Sequence, residues 1–342
     1  MKAAILVEQN APLIVAEIGI PKLDAGQALV KVKASGICGK QLDEMSGKRG
    51  PDPYLPHLLG HEGAGTVVET GAGVRKVKAG DFVVLHWMKG SGAEAAVPAY
   101  RWNGAAVNAG RVTTFSEFTV VSENRVTRIP NGIKPEAASL LGCAVTTGLG
   151  IVNNDARLKP GQSIAVFGAG GLGLNVVQGA ALAGAGLIVA VDIHDHKLAR
   201  AVAFGATHTL NAREAGFSAA LGQWSGGRGF DVTVDTTGHT DVIETAYQAT
   251  GRAGRTILAG VPHHEKRVTL DTFPLHFGRR IFGSHGGDAK PDADIPRCLE
   301  LYHGGKLKLD EQITHRFPLD EINRAVETVR EGAACRCVIV MP

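Results

Sequence analysis

Near the middle of the chain the sequence reads Ile164-Ala-Val-Phe-Gly168-Ala-Gly170-Gly171-Leu-Gly173, an apolar strand running through a glycine turn into a helical stretch. Gly168 permits the tight turn, Gly170 lets the backbone approach a pyrophosphate, and Gly173 lets the helix pack close to the strand. Free N–H groups at the helix start, here from Gly171 on, then face the phosphates. Alone, this motif is weakly specific. Its surroundings strengthen it: a second strand follows and ends in Asp192, 19 residues past Gly173. A carboxylate there accepts hydrogen bonds from a ribose 2′-hydroxyl and repels a 2′-phosphate, so NAD is expected over NADP. The neighbouring Ile193 supplies no cation to reverse that preference. Asp235-Thr-Thr237-Gly238 falls at another strand end over the same site, which adds Thr237 to the cofactor-binding candidates. A second kind of chemistry is available from Cys38, from His61 with Glu62, and from Cys143. Three protein ligands with a fourth position open form a catalytic zinc pattern, and two cysteines with one histidine are a known version. No two of these sites are close enough for a local finger. Taken singly, each reads more readily as a buried thiol or a satisfied histidine.

Two kinds of segment must position these residues. Up to about residue 140 short strands alternate apolar with polar residues, as in Ala28–Lys33, Gly65–Glu69, Phe82–Leu85 and Phe118–Val121. Glycine and proline clusters separate them, which indicates an antiparallel sheet or small barrel. From Lys159 the pattern changes. Strand-length apolar runs (Ile164–Phe167, Leu187–Val191, Thr207–Leu210, Asp231–Asp235, Thr256–Ala259, Arg280–Ser284) alternate with helical stretches at Leu172–Ala183, His196–Phe204 and Thr240–Thr250. Runs apolar along their whole length, joined by helices, predict a parallel sheet covered on both faces, and six strands match a doubly wound dinucleotide-binding domain. After Gly287 a helix near Ile295–His303 and a closing strand Arg336–Val340 point to a tail that returns to the first domain. The expected division is 1–144 with 286–342, and 145–285.

The chain has 342 residues, 44% hydrophobic and 20% charged, enough to bury a sizeable core and to exclude disorder as the main state. Thirty-six Lys and Arg against 33 Asp and Glu, with 5% aromatics, offer neither an electrostatic footprint for nucleic acid or an anionic membrane nor a base-stacking surface. The longest apolar run, Gly179–Val191, is 13 residues and too short for a bilayer. Five scattered cysteines without a Cys-x-x-Cys do not form a disulfide framework. The expected setting is the reducing cytoplasm. Cys298, Cys335 and Cys337 read as core residues.

Gly60-His61-Glu62-Gly63-Ala64-Gly65 with Gly71 and Val74, Gly36-Ile37-Cys38 upstream, and Leu141-Gly142-Cys143-Ala-Val-Thr-Thr-Gly-Leu149 together resemble the signature of zinc-dependent alcohol dehydrogenases of the medium-chain dehydrogenase/reductase superfamily. The resemblance covers the whole chain and the order of its elements. It implies a barrel-like (GroES-like) catalytic domain, a six-stranded Rossmann domain that binds NAD, and a homo-oligomer, dimer or tetramer, joined partly through the nucleotide domains. It implies one catalytic zinc on Cys38, His61 and Cys143, with Glu62 as a carboxylate able to enter the metal shell. It makes Arg336 a contact for the cofactor pyrophosphate and Trp87 an aromatic wall of the substrate pocket. The implied reaction is hydride transfer between a small-molecule alcohol or carbonyl substrate and NAD, with zinc as Lewis acid.

The chain departs from that pattern twice. Many members hold a second, structural zinc on four close cysteines, yet Trp87–Thr113 contains none, so one zinc per chain is expected and that segment should be held by packing and turns alone. After the first cysteine, members usually have a hydroxyl residue and then aspartate. This chain reads Cys38-Gly39-Lys40-Gln41-Leu42-Asp43. Lys40 thus stands where a hydroxyl would take the alcohol proton, as general base or as anchor for an anionic substrate group. Gln41 stands where a carboxylate would accept the imidazole N–H; it is expected to accept as well, while raising ligand basicity less. Lys40 and the scarcity of aromatics lean towards a polar secondary alcohol, polyol or sugar. The alternatives are a zinc-free NADPH-dependent quinone or enoyl reductase of the same superfamily, which would lack the Cys/His/Cys set, and a non-catalytic binding protein on the same fold.

Overall fold

The computed structural model describes Met1–Pro342 and resolves into two compact units, Met1–Ala144 with Lys290–Pro342, and Val145–Ala289. Residues 286–289, assigned above to the returning tail, belong to the second unit. The reason is local packing: the Asn154 amide donates to the Gly287 carbonyl at 2.8 Å, and Gly287 lies against Gly150 and Ile151.

In the second unit six parallel strands form one sheet. Their order is His208–Asn211, Leu187–Asp192, Ser163–Phe167, Phe230–Asp235, Thr250–Leu258, Arg280–Gly283. Helices Gly171–Leu182, Asp195–Ala203 and Thr240–Ala249 connect them as the sequence predicted, and a fourth, Phe217–Trp224, was missed. Leu221 is its only buried residue, and flanking glycines hide its apolar stripe. Ile164, Ala165 and Val166 are wholly buried because both faces of the sheet are covered. Chain order reverses at the Ser163–Phe167 strand. The carboxyl ends carrying Gly168, Asp192 and Asp235 therefore open at the switch point where such sheets bind ligands.

In the first unit the long strand Gln27–Gly36 is the hub. On one side it pairs antiparallel with Glu62–Thr70. On the other it pairs with Phe118–Ser122 over its first half and with Arg336–Val340 over its last residues. Beyond these lie Phe82–His86, Val126–Arg128 and, parallel to the closing strand, Ile313–Pro318. Val30 and Val32 are buried while Lys31 and Lys33 are exposed, the alternation the sequence displayed. The returning tail contributes Phe317, Ile322, Val326, Cys337 and Ile339 to the same core as Leu6, Val30, Leu85 and Phe115.

The cysteine-free lobe is not held by packing and turns alone. It carries a short hairpin, Tyr100–Trp102 with Ala105–Val107, and carboxylates pin its flanks. Glu94 pairs with Lys89 at 2.9 Å, with Arg111, and with Arg125 at 3.5 Å. Glu123 accepts the N–H groups of Arg75 (2.5 Å), Lys76 (2.6 Å) and Ala93 (2.7 Å). Asp292, from the tail helix Pro291–His303, accepts the Ser91 N–H at 2.5 Å and pairs with Lys76. Pairings across such distances leave no periodic signal in the sequence. No single helix is long and apolar enough to cross a membrane.

Candidate active site

Three elements of the first unit converge on one point. Cys38 immediately precedes the helix Gly39–Met45, His61 immediately precedes the strand Glu62–Thr70, and Cys143 follows the turn Leu140–Gly142. Gly142 is required there, because a Cβ would lie 2.2 Å from the Leu85 carbonyl oxygen. One ligand atom from each of Cys38, His61 and Cys143 lies within 4.8 Å of the others. Nδ1 of His61 is taken by the Gln41 amide, and Nε2 is buried without a hydrogen-bond partner. Nε2 is therefore the atom offered with the two sulfurs. A buried nitrogen left unpaired is costly unless something coordinates it, so the residues present fit a zinc ion. The Cys143 thiol, then His61 and Arg336, hold the Cys38 thiol well below its usual range against the opposing effect of burial, which favours the thiolate that a metal requires.

The surroundings differ from expectation in detail. Glu62, fully buried, is gripped by Arg336, while its other oxygen receives the Ala144 N–H at 3.3 Å. Arg336 is likewise buried, and its Nε has no partner. Lys40 Nζ is buried without a hydrogen-bond partner, 3.9 Å from Asp43 Oδ2; Asp43 in turn pairs with Lys48 at 3.2 Å. Gln41 Oε1 accepts the Cys38 N–H at 2.9 Å, so its NH₂ and not its oxygen faces His61. Beside the cluster a cavity of about 640 Å³ is lined by His61, Gln41, Glu44, Arg49, Asp52 and His57 among others. Neither Lys40 nor Trp87 lines it. Arg49, Asp52 and His57 carry no motif that would single them out in the sequence. Cys298 and Cys337 are buried, their thiols pushed up to about 12 and about 11 by desolvation, and Cys335 is half-buried.

In the second unit a cavity of about 490 Å³ is lined by Gly168, Asp192, Ile193, His194, Lys197 and Thr237 with neighbouring residues. Asp192 is held by the N–H groups of Ala169 (2.7 Å), Ile193 (2.8 Å) and His194 (3.0 Å). At Gly173 a Cβ would lie 1.8 Å from the Gly168 carbonyl oxygen, whereas at Gly170 it would meet open space. One glycine thus keeps the helix against the strand, and the other leaves room for a ligand next to Gly171 at the helix start. Fully buried Asp235 accepts the Thr237 hydroxyl at 2.6 Å and the N–H groups of Thr237 and Gly238, which fixes that turn. The arrangement fits a dinucleotide.

Residues 24–131 match the alcohol dehydrogenase GroES-like domain, and residues 171–303 match the zinc-binding dehydrogenase family. The S-(hydroxymethyl)glutathione dehydrogenase of Paracoccus denitrificans is 32% identical, over 99% of each chain. An alcohol dehydrogenase zinc-binding domain protein from Burkholderia ambifaria superposes with a TM-score of 0.91 at 29% identity, covering 100% of this chain and 98% of that one. Benzyl alcohol dehydrogenase from Acinetobacter calcoaceticus also gives 0.91, at 27% identity, covering 100% and 99%. The chain belongs to the zinc-dependent alcohol dehydrogenases of the medium-chain dehydrogenase/reductase superfamily. It is an oxidoreductase that uses zinc and NAD to interconvert a small-molecule alcohol and its carbonyl compound. The zinc-free reductase and the non-catalytic binding protein are not favoured.

Proposed function

We propose that Cys38, His61 and Cys143 hold the catalytic zinc, that the Gly168–Gly173 turn with Asp192 and Thr237 holds NAD, and that the substrate is a polar secondary alcohol, polyol or sugar. The observation that carries this reading is the unpartnered, buried His61 Nε2 grouped with two sulfurs within 4.8 Å. Bound there, zinc supplies a Lewis acid and NAD the hydride acceptor. The chain's own residues do the rest. Arg336 neutralises Glu62 and holds it beside the cluster, where it is available during ligand exchange; Arg336 also remains our candidate for the cofactor pyrophosphate, through the Nε that has no protein partner. Lys40 Nζ, buried just outside the cavity lining, is our candidate to take the proton of the substrate hydroxyl, with Asp43, which does line the cavity, next in line. Asp192 meets the ribose. The polar lining beside the cluster, with Arg49, Glu44, Asp52 and His57, supports a polar substrate, as does the polarity of the compound for which the Paracoccus relative is named.

None of the five cysteines is in a disulfide, which fits a reducing cytoplasm, where we place the enzyme. The edge strand Arg280–Gly283, with Phe273 and Phe277 exposed nearby at 67% and 47%, supports association into a dimer or tetramer.

Metal analysis combined with NADH absorbance on a panel of polyols, sugars, S-(hydroxymethyl)glutathione and benzyl alcohol tests the reading. One zinc per chain and turnover concentrated on polar alcohols are expected; preference for benzyl alcohol would sink the substrate assignment. Asp192→Gly with Ile193→Arg should move preference towards NADP. Lys40→Met should lower kcat by about 10²–10⁴ with little change in KM. A normal kcat with a tenfold higher KM would instead make Lys40 a substrate anchor.

A further inference from the structure

Gln41 stands between the Cys38 N–H and the His61 Nδ1 and carries one oxygen. It is 1% exposed on the first helical turn after Cys38. Its Oε1 accepts the Cys38 N–H at 2.9 Å, a donor that cannot change. Its NH₂ faces His61 Nδ1, and an NH₂ can only donate, so in this arrangement Nδ1 carries no proton. A neutral imidazole with bare Nδ1 has its proton on Nε2, the atom that faces the two sulfurs. A metal on Nε2 forces the other tautomer: Nδ1 becomes the protonated nitrogen and needs an acceptor. Gln41 can supply one only by turning its amide over, which takes the oxygen from the Cys38 N–H and sets NH₂ against it.

We infer that Gln41 is a positioning residue whose side-chain amide turns over when zinc binds, so that with zinc in place either the Cys38 N–H or the His61 Nδ1–H loses the Gln41 oxygen and zinc is held more loosely than a carboxylate at this position would hold it. The inference rests on the metal reading above. It is confined to this chain's glutamine, since a carboxylate has an oxygen for each donor and never has to choose. The mismatch is shared between the residue just before the helix Gly39–Met45 and the one just before the strand Glu62–Thr70, so metal occupancy is coupled to the hydrogen bonding of the Cys38 backbone.

The test is a titration of chelator-stripped protein with Zn²⁺ against a competing chelator, for the native chain, Gln41→Glu and Gln41→Leu. Gln41→Glu keeps the reach of the side chain and adds the second acceptor oxygen. It should bind zinc about 10–100-fold more tightly than native, and Gln41→Leu more weakly. An added negative charge alone would also tighten binding, so the second readout is the histidine side-chain nitrogen spectrum. In native protein His61 Nδ1 should be unprotonated without metal and protonated with zinc. In Gln41→Glu it should be protonated in both states. Equal zinc affinities for native and Gln41→Glu, or a protonated Nδ1 in both states of native protein, would overturn the inference while leaving the metal site intact. Native protein that takes up no zinc removes the metal site itself, and the first titration shows this before any variant is compared.

Discussion

The Cys38–His61–Cys143 cluster and the lobe of residues 88–113 hold together distant parts of the chain by opposite chemistry. At the cluster three residues separated by up to 105 positions bring their ligand atoms within 4.8 Å, and His61 Nε2 is buried there without a hydrogen-bond partner. In the lobe, where family members often place a second zinc, the junctions are made by three carboxylates. Glu94 gathers Lys89, Arg111 and Arg125, Glu123 gathers three backbone N–H groups, and Asp292 reaches back from the tail to Ser91 and Lys76. A metal centre concentrates its stabilisation in one ion and fails when one ligand is lost. A dispersed set of charge-assisted hydrogen bonds loses stability in steps and depends on pH rather than on a metal. The reactive sulfurs are thereby confined to the site that does chemistry.

Removing a ligand separates the two regions most sharply. Cys143→Ala should lose zinc and lower turnover by about 10³-fold or more, the rate equivalent of several kcal/mol of Lewis-acid stabilisation, while still binding NAD. Circular dichroism and thermal melting should show the lobe's carboxylate contacts undisturbed, and metal analysis should fall from one zinc to none. Two tightly bound zincs in native protein would break the contrast outright.

The converse variant is Glu123→Ala. Glu123 is only 4% exposed, and three buried or half-buried N–H groups would lose their acceptor. Hydrogen bonds to a charged group contribute about 1.5–3 kcal/mol each, and after partial rescue by water we expect a loss of about 3 kcal/mol in urea unfolding. The zinc content should stay at one. A loss of zinc would show that the two regions are coupled.

The smallest effect is on acid sensitivity. Lys89, followed by Asn124 and the two arginines, holds the Glu94 carboxyl down to about 2 from 4.5. Burial pushes Asp292 up, but Lys76 and the Ser91 N–H outweigh it and bring it to about 2 from 3.8. Both pKa values are depressed in the folded state, so their stabilisation is complete above the ordinary carboxylate range and is lost as pH falls from about 4.5 to 2. Both groups are partly exposed and solvent screens them, so the drop should be modest. The urea midpoint should fall between pH 5 and pH 3, and Glu94→Gln with Asp292→Asn should flatten that fall. An equal fall in the variant would assign the acid sensitivity elsewhere.

Much of the molecule is legible in its sequence. The Rossmann sheet announces itself because its strands are apolar on both faces and its phosphate turn needs glycine at fixed offsets, constraints that act over a few neighbouring residues. The grouping of Cys38, His61 and Cys143 was legible only through the family signature around them, since Cys38 and Cys143 have no local spacing to betray a shared purpose. Helix Phe217–Trp224 escaped because it buries a single leucine.

Local pattern by itself determined which segments are strands, which turn can face a phosphate, and that Trp87–Thr113 has no thiol to offer a metal. Tertiary structure alone decided the partners: Arg336 on Glu62, Asp292 on Ser91 across 201 positions, and the Gln41 oxygen on Cys38 with its NH₂ towards His61. The physical reason is that periodicity and turn chemistry are properties of adjacent residues. A hydrogen bond depends on where a donor and an acceptor end up in space, and the direction of an amide depends on which of its two neighbours cannot give way.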